Sequence, residues 1–105
     1  MPVSKAEYDV LSERSRQVLE EGWDAAHDDE HTDGGMAIAA ACYALIGTSA
    51  DRYLSRGVAS TLWGYTGWAT SWFKPKTIRR NLVRAAALLI AEIERIDRAE
   101  ARRTA

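Results

Sequence analysis

From position 78 to position 96, large apolar residues return every three or four places: Ile78, Leu82, Ala85, Leu89, Ile93 and Ile96. Val83, Ala86 and Ile90 widen the stripe. Steps of three and four put side chains on one face of an α-helix and of no other regular structure. The pattern predicts a helix over residues 76–102, about 40 Å long at 1.5 Å per residue. In a chain of 105 residues, a rod of that length dictates the architecture, because the remaining segments must pack along it. The stripe is read as the rod's core-facing side.

The rest of the chain supplies shorter helices. Ser4 and Glu7 have the S-x-x-E spacing of a capping box, in which hydroxyl and carboxylate satisfy free amides at a helix start. Val10, Leu11, Val18 and Leu19 come next at helical spacing, and Gly22 is a natural stop, so a first helix is predicted over 5–21. Residues 22–35 read as a polar loop with a glycine exit, in which Thr32 or Asp33 can cap the next helix. Residues 36–48 are almost wholly apolar and alanine-rich, the mark of a buried central helix. A short helix fits residues 51–62, and Gly64 to Pro75 reads as a loop with aromatic anchors. Glu94 precedes Arg98 by four, the order that favours an ion pair on one helix. No stretch alternates with period two. The expected fold is a single all-α domain, a compact bundle of three to four helices with a long C-terminal helix. A small domain with so long an apolar stripe is also expected to form a homo-oligomer.

Charge is segregated. Residues 1–33 carry three basic against ten acidic side chains, and residues 73–105 carry nine basic against four acidic, within a net charge of -1. The two halves can neutralise each other, within one molecule or between subunits. That balance argues against a nucleic-acid partner, which a net basic surface would serve better. Cys42 is the sole cysteine and sits in an apolar run, so it reads as a packing residue in a reducing compartment. With neither a leader-like segment nor an apolar run of about 18 residues, the chain is expected to be cytoplasmic, with no membrane partner.

Three clusters carry possible chemistry. The segment from Leu62 to Arg84 holds three of the four tryptophans and then Lys74, Lys76, Arg79, Arg80 and Arg84 without an acid. Aromatic rings stack on bases, and Lys and Arg neutralise phosphates. Arg80 and Arg84, four apart on one helix, can clamp one anion. The second cluster is His27, Asp28, Asp29, Glu30 and His31. It can meet ribose hydroxyls, hold a metal, or simply cap helices and pair with arginines. The third is the acidic row Glu92, Glu94 and Asp97, whose E-x-x-D spacing is similar to that of helical nucleotide pyrophosphatases that hold Mg. Arg95 and Arg98 interleave that row, and Glu94 lies off the apolar stripe, as in ordinary surface ion pairs. P-loop, dinucleotide-binding and C-x-x-C motifs are missing from the sequence.

The segments HDDEHTDG, AIAAACYA, WFKP and RRNLVRAAALLIAEIERIDR together resemble a group of small phage and prophage proteins of unassigned function. Members of that group run E-H-D-D, G-E-L-A, A-A-A-C-Y-A, W-P-W-D, W-F-K-P and L-V-K-A-G-A-L-I-x-A-E-I-E-R-L-D-R. The resemblance covers most of residues 19–98. Ala26 and Gly35 stand where the group has Glu, and W-P-W-D has no counterpart before Trp72. The resemblance implies a setting, a phage accessory protein in a bacterial cytoplasm. By analogy of size and setting, small phage proteins include oligomeric sponges that sequester nucleotide immune signals.

The reading that combines these features is a non-enzymatic anti-defence binder of a nucleotide-derived small molecule, with no cofactor and no metal. Trp68, Trp72 or Phe73 would stack on the base. Lys74, Lys76, Arg80 and Arg84 would hold phosphates, and His27, Asp28, Asp29 and His31 would meet ribose. The same residues also fit a metal-dependent nucleotide hydrolase using the His27–His31 cluster with Glu92 or Glu94. The aromatic loop also fits a protein-binding inhibitor of a host factor.

Overall fold

A computed structural model describes residues 2–46 and 52–105, with side chains described for 2–46 and 56–105. Among the described residues five helices run in order: α1 (Lys5–Glu20), α2 (Ala25–Asp29), α3 (Gly35–Leu45), α4 (Arg52–Trp63) and α5 (Ile78–Thr104). Two single 3-10 turns, Gly64–Thr66 and Thr70–Trp72, link α4 to α5. The described residues contain no strand, so the all-α bundle with its long C-terminal helix is the fold. The 27 residues of α5 set the 48 Å long axis of a molecule measuring 48 × 36 × 24 Å. The predicted extension of the central helix through residues 47–48, and position 51 at the start of the next, lie outside the described residues.

Local signals act as the sequence predicts at both ends of α1, but the N-cap of α3 is Gly34 and not Thr32 or Asp33, with Asp33 accepting the Gly35 amide at 2.9 Å. Ser4 and Glu7 close the capping box of α1. Thr77 caps α5 by accepting the Arg80 amide at 3.1 Å. Gly22 adopts φ of +75°, a left-handed turn that side chains resist. That turn lets the Trp23 N–H reach back to the Gln17 carbonyl at 3.0 Å, which brings Trp23 alongside α1. The polar segment 22–35 departs from expectation. It contains α2, a single turn started by Asp24, whose carboxylate accepts the His27 amide at 2.9 Å.

The core lies where α3 packs between α4 and α5. Ala39, Ala40, Cys42, Tyr43, Ile46, Ala59, Trp63, Ala85 and Leu88 are buried there, with Trp68 and Phe73 against them. Alanine faces let the helix axes approach closely, and the rings fill what space remains. Cys42 is fully buried, and burial raises its thiol pKa, as befits a packing residue.

The apolar stripe of α5 is where the structure corrects the sequence reading. Its buried face consists of Asn81, Val83, Ala85, Ala87, Leu88, Ala91 and Glu92. Ile78, Leu82, Leu89, Ile93 and Ile96 are each 45–57% exposed. A similar exchange occurs on α1, where Glu13 and Gln17 are buried while Leu11 and Leu19 face out. The physical reason is that opposite charges, not large aliphatic side chains, join α1 and α2 to α5. Asp9 meets Arg79 at 2.8 Å. Glu13 meets both Arg80 and Arg16. Asp28 holds Arg14 at 2.7 Å, and Arg14 also approaches Glu94 at 3.5 Å. Asp29 takes Arg98 at 2.9 Å and Arg102 at 3.2 Å. The acidic and basic halves therefore pair within one chain, and Arg98 turns to Asp29 instead of Glu94.

Glu13 is the most demanding of these residues, at 2% exposure. Burial pushes its carboxyl upward, but Arg16, by hydrogen bond and charge, together with Arg80, outweighs it and leaves the pKa lowered. A carboxyl whose folded pKa is lowered stabilises the fold above its unfolded pKa and loses that contribution as pH falls through the folded value. Glu13→Ala leaves two arginines without their buried partner, and is expected to cost about 3–5 kcal/mol in chemical denaturation. The same variant should lose part of the wild-type fall in melting temperature below about pH 4.

Candidate functional site

A cleft of about 320 Å³ opens between α1 and the first half of α5, lined by Glu13, Arg16, Gln17, Glu21, Trp23, Tyr43, Trp72, Lys74, Arg84 and Leu88. Its size falls at the lower end of small-molecule sites. Each wall has a local cause. The Gly22 turn delivers Trp23. The Tyr43 hydroxyl fixes the opposite rim, donating to the Trp72 carbonyl at 3.3 Å and accepting the Lys74 amide at 3.0 Å. Arg84 completes that rim by donating to the Lys74 carbonyl at 2.6 Å. Its guanidinium carbon stands 5.8 Å from the centre of the Tyr43 ring.

Charge in the cleft is unevenly committed. Arg16 is held by Glu13 at 2.8 Å, by Glu21 at 3.0 Å and by Glu20 at 3.4 Å. Among the described residues no carboxylate pairs with Arg84 or Lys74, and Trp72 is 54% exposed beside them. Two polar atoms of cleft-lining residues are buried without a hydrogen-bond partner among the described residues, Gln17 Oε1 and Arg84 Nε. The Gln17 amide orientation follows from chemistry, since its nitrogen must face the Glu13 carboxylate, 3.3 Å away. Both atoms are closed off from solvent beneath the cleft surface, and what the cleft presents to a ligand is the exposed Trp72 ring beside Lys74 and Arg84.

Of the residues singled out in the sequence, Trp72, Lys74 and Arg84 line this cleft. Arg80 does not share a clamp with Arg84. It turns to Glu13 and lines a neighbouring, more open hollow of about 420 Å³ with Asp9, Arg16 and Arg79. Lys76 uses its backbone N–H to bond Asn81 at 2.7 Å, and lines a third hollow with Arg56 and Pro75. Phe73 stacks on Trp63 at 4.8 Å and 22°, so its ring belongs to the core.

His27, His31 and Trp68 form a belt behind the cleft. Ring contacts run from Trp23 to His27 (6.1 Å, stacked), to His31 (4.6 Å), to Trp68 (5.3 Å) and to Trp72 (5.9 Å). Both ends of the belt, Trp23 and Trp72, are cleft walls. The belt encloses about 20 Å³ with Arg14 and Asp28, room for a water and little else. Asp28 is spent on Arg14 and on His27 Nδ1 at 3.1 Å. Asp29 is spent on Arg98 and Arg102, with Arg98 first in lowering its pKa. Glu92 is buried against Arg95, and Glu94 is exposed beside Arg14. Among the described residues, no three His, Cys, Asp or Glu side chains are grouped to hold a metal ion.

Gln17, Arg16 and Trp23 carry no motif that singles them out in the sequence, and Tyr43 enters there only within the AIAAACYA segment, with no role of its own. Gln17 sits mid-helix, so its role appears only once α1 meets α5. Trp23 does carry a usable signal, as an aromatic directly after a helix-stopping glycine. Gly35, at the start of α3, has a physical reason to remain glycine here. A Cβ would lie 3.0 Å from Asp33 Oδ1 and 3.3 Å from Trp68 Cζ2. A side chain there requires Asp33 and Trp68 to give way by a few tenths of an ångström.

No protein-family model, curated protein or solved structure matches the chain. Among the described residues, no helix is long and apolar enough to cross a membrane. The class defined by fold and site is therefore a small helical bundle with an aromatic-walled, partly cationic cleft.

Gly35→Glu is expected to displace Trp68. It should lower stability by about 1–3 kcal/mol through overpacking and shift tryptophan emission to the red. Unchanged stability and emission would mean that the belt tolerates a side chain at this position.

Proposed function

We propose that the protein is a non-enzymatic binder of a nucleotide-derived anion, acting as a homo-oligomer, with the α1–α5 cleft as its binding site. The observation that carries this reading is the convergence on one cleft of the exposed Trp72 ring with Lys74 and Arg84, two cations that no carboxylate pairs among the described residues. A nucleotide matches that set with a base and a phosphate on one small frame. Trp72 and Trp23 offer faces for a base, and Arg84 with Lys74 offers uncommitted positive charge for a phosphate. The carboxylates of the cleft, Glu13 and Glu21, are both held by Arg16, so the groups left free are suited to recognition and not to proton transfer. The resemblance to phage proteins extends the proposal to a setting in which such a binder sequesters a nucleotide signal of the bacterial host and so acts against its defences.

The test is a thermal-shift screen of purified protein against nucleotides, cyclic nucleotides and divalent metals, followed by chromatography of the recovered ligand. A nucleotide that raises the melting temperature and returns unchanged is the expected result. Arg84→Ala is expected to weaken that binding by about 1–3 kcal/mol, the loss of a charged hydrogen bond, read as a change in Kd by calorimetry. A folded Arg84→Ala variant with wild-type affinity removes the cleft from consideration. Conversion of the nucleotide would point to hydrolysis instead. Tyr65 and Trp72, 73% and 54% exposed, favour a second reading, docking to a host protein. That reading gains if no small molecule binds and a pull-down through the aromatic loop finds a partner.

A further inference from the structure

The outward face of α5 is the largest feature left unused by the cleft. Ile78, Leu82, Leu89, Ile93 and Ile96 lie half exposed along it, with Ala86 filling the middle. First and last are eighteen residues apart, five full helical turns, so the row stays straight along about 27 Å of helix. An isolated exposed leucine is ordinary, but a continuous apolar row on one helix marks an interaction surface. We propose that this row is the seam of an antiparallel homodimer in which α5 of one chain packs against α5 of a second copy. The proposal rests on the self-association in the reading above and not on its ligand.

Two observations select a second copy, and select it antiparallel. The row is close to a palindrome. Pairing Ile78 with Ile96, Leu82 with Ile93 and Ala86 with Leu89 places the pair centres within half a residue of one another, at residue 87 or between 87 and 88. A two-fold axis there matches each side chain to its complement, and the small Ala86 receives the large Leu89 of the other chain. Charge obeys the same symmetry. Arg79 and Asp97 are also eighteen residues apart, hence on the same flank of the row. Like flanks meet in an antiparallel pair, so Arg79 of one chain faces Asp97 of the other about the same centre. Among the described residues Asp97 has no ion pair, and Arg79 is 55% exposed while it holds Asp9 with one nitrogen. The contact is small: two strips about 27 Å long and about 10 Å wide give roughly 540 Å² in total, the size of a weak, reversible pairing.

The experiment is sedimentation equilibrium of the full chain at tens of micromolar, with and without Ile93→Glu. Wild-type protein should be a dimer. Ile93→Glu should be monomeric with unchanged helical circular dichroism, since the site is half exposed in the single chain. A monomeric wild type, or a dimer untouched by Ile93→Glu, overturns the seam. Orientation is read by mixing Leu82→Cys protein with Ile93→Cys protein under mild oxidation, the native Cys42 being fully buried. A mixed disulfide between the two variants is expected, while a link of Leu82→Cys to itself means a parallel pair and overturns the arrangement. This second experiment also stands if Ile93→Glu fails to fold. Arg84→Ala should remain dimeric whatever its affinity for nucleotide, which separates failure of the seam from failure of the cleft.

Discussion

Glu13 is the interaction on which the rest of the molecule depends. It is a carboxylate taken almost wholly out of water, and it keeps its charge because Arg16 from its own helix and Arg80 from α5 surround it. A buried ion pair adds little net stability over an apolar substitute, but it is intolerant of misplacement. It therefore fixes where α1 lies against α5 more strictly than a leucine would. The other pairs are ranged along α5 in chain order: Asp9 to Arg79, Arg14 to Glu94, and Asp29 to Arg98 and Arg102. Gln17, one turn beyond Glu13, takes its place by donating to the same carboxylate. The cleft is the space that this arrangement leaves between α1 and α5.

That dependence explains which elements are legible in the sequence and which are not. The capping box, the Gly22 turn, the alanine-rich central helix and the long last helix are local signals, and each is legible because neighbours in sequence decide it. The burial of α5 is not. Hydropathy assigns Ile78, Leu82, Leu89, Ile93 and Ile96 to the core because they are large and periodic. The fold instead buries Ala85, Ala87, Leu88 and Ala91, with Asn81 and Glu92 among them, because the alanines of the facing α3 allow close approach there and ion pairs turn the neighbouring flank to α1 and α2. A single sequence does not say which of two candidate faces meets which neighbour. α2 is hidden for another reason. Five residues are too few for a periodic signal, and only the Asp24 cap announces it.

The candidate site obeys the same division. The stretch around Trp72, Lys74 and Arg84 stands out in the sequence because its composition is unusual, and those three residues do converge. The equally conspicuous run from His27 to His31 is structural in its ionic half, with Asp28 and Asp29 consumed by arginines. Its histidines form the rear support of two cleft tryptophans. Density of chemically capable residues is thus a poor guide where opposite charge is available elsewhere in the chain, and a better one where it is not. Lys74 and Arg84 are left without a carboxylate because the acids of α1 nearest them are already held by Arg16 and Arg80.

The cleft and the outward apolar row occupy opposite sides of one helix. Arg84 and Leu88 face the cleft, while Leu82, Leu89 and Ile93 point away from it by helical spacing. The residues lining the cleft come from a single chain, so pairing through α5 neither completes the cleft nor blocks its mouth. What the two features share is α5 itself, a rod anchored along one side by ion pairs and by packed alanines. A ligand seated in the cleft would tie α1 more firmly to that rod without moving its outer face. On this geometry a dimer carries two independent clefts, and a binder built this way gains capacity through pairing, not cooperativity.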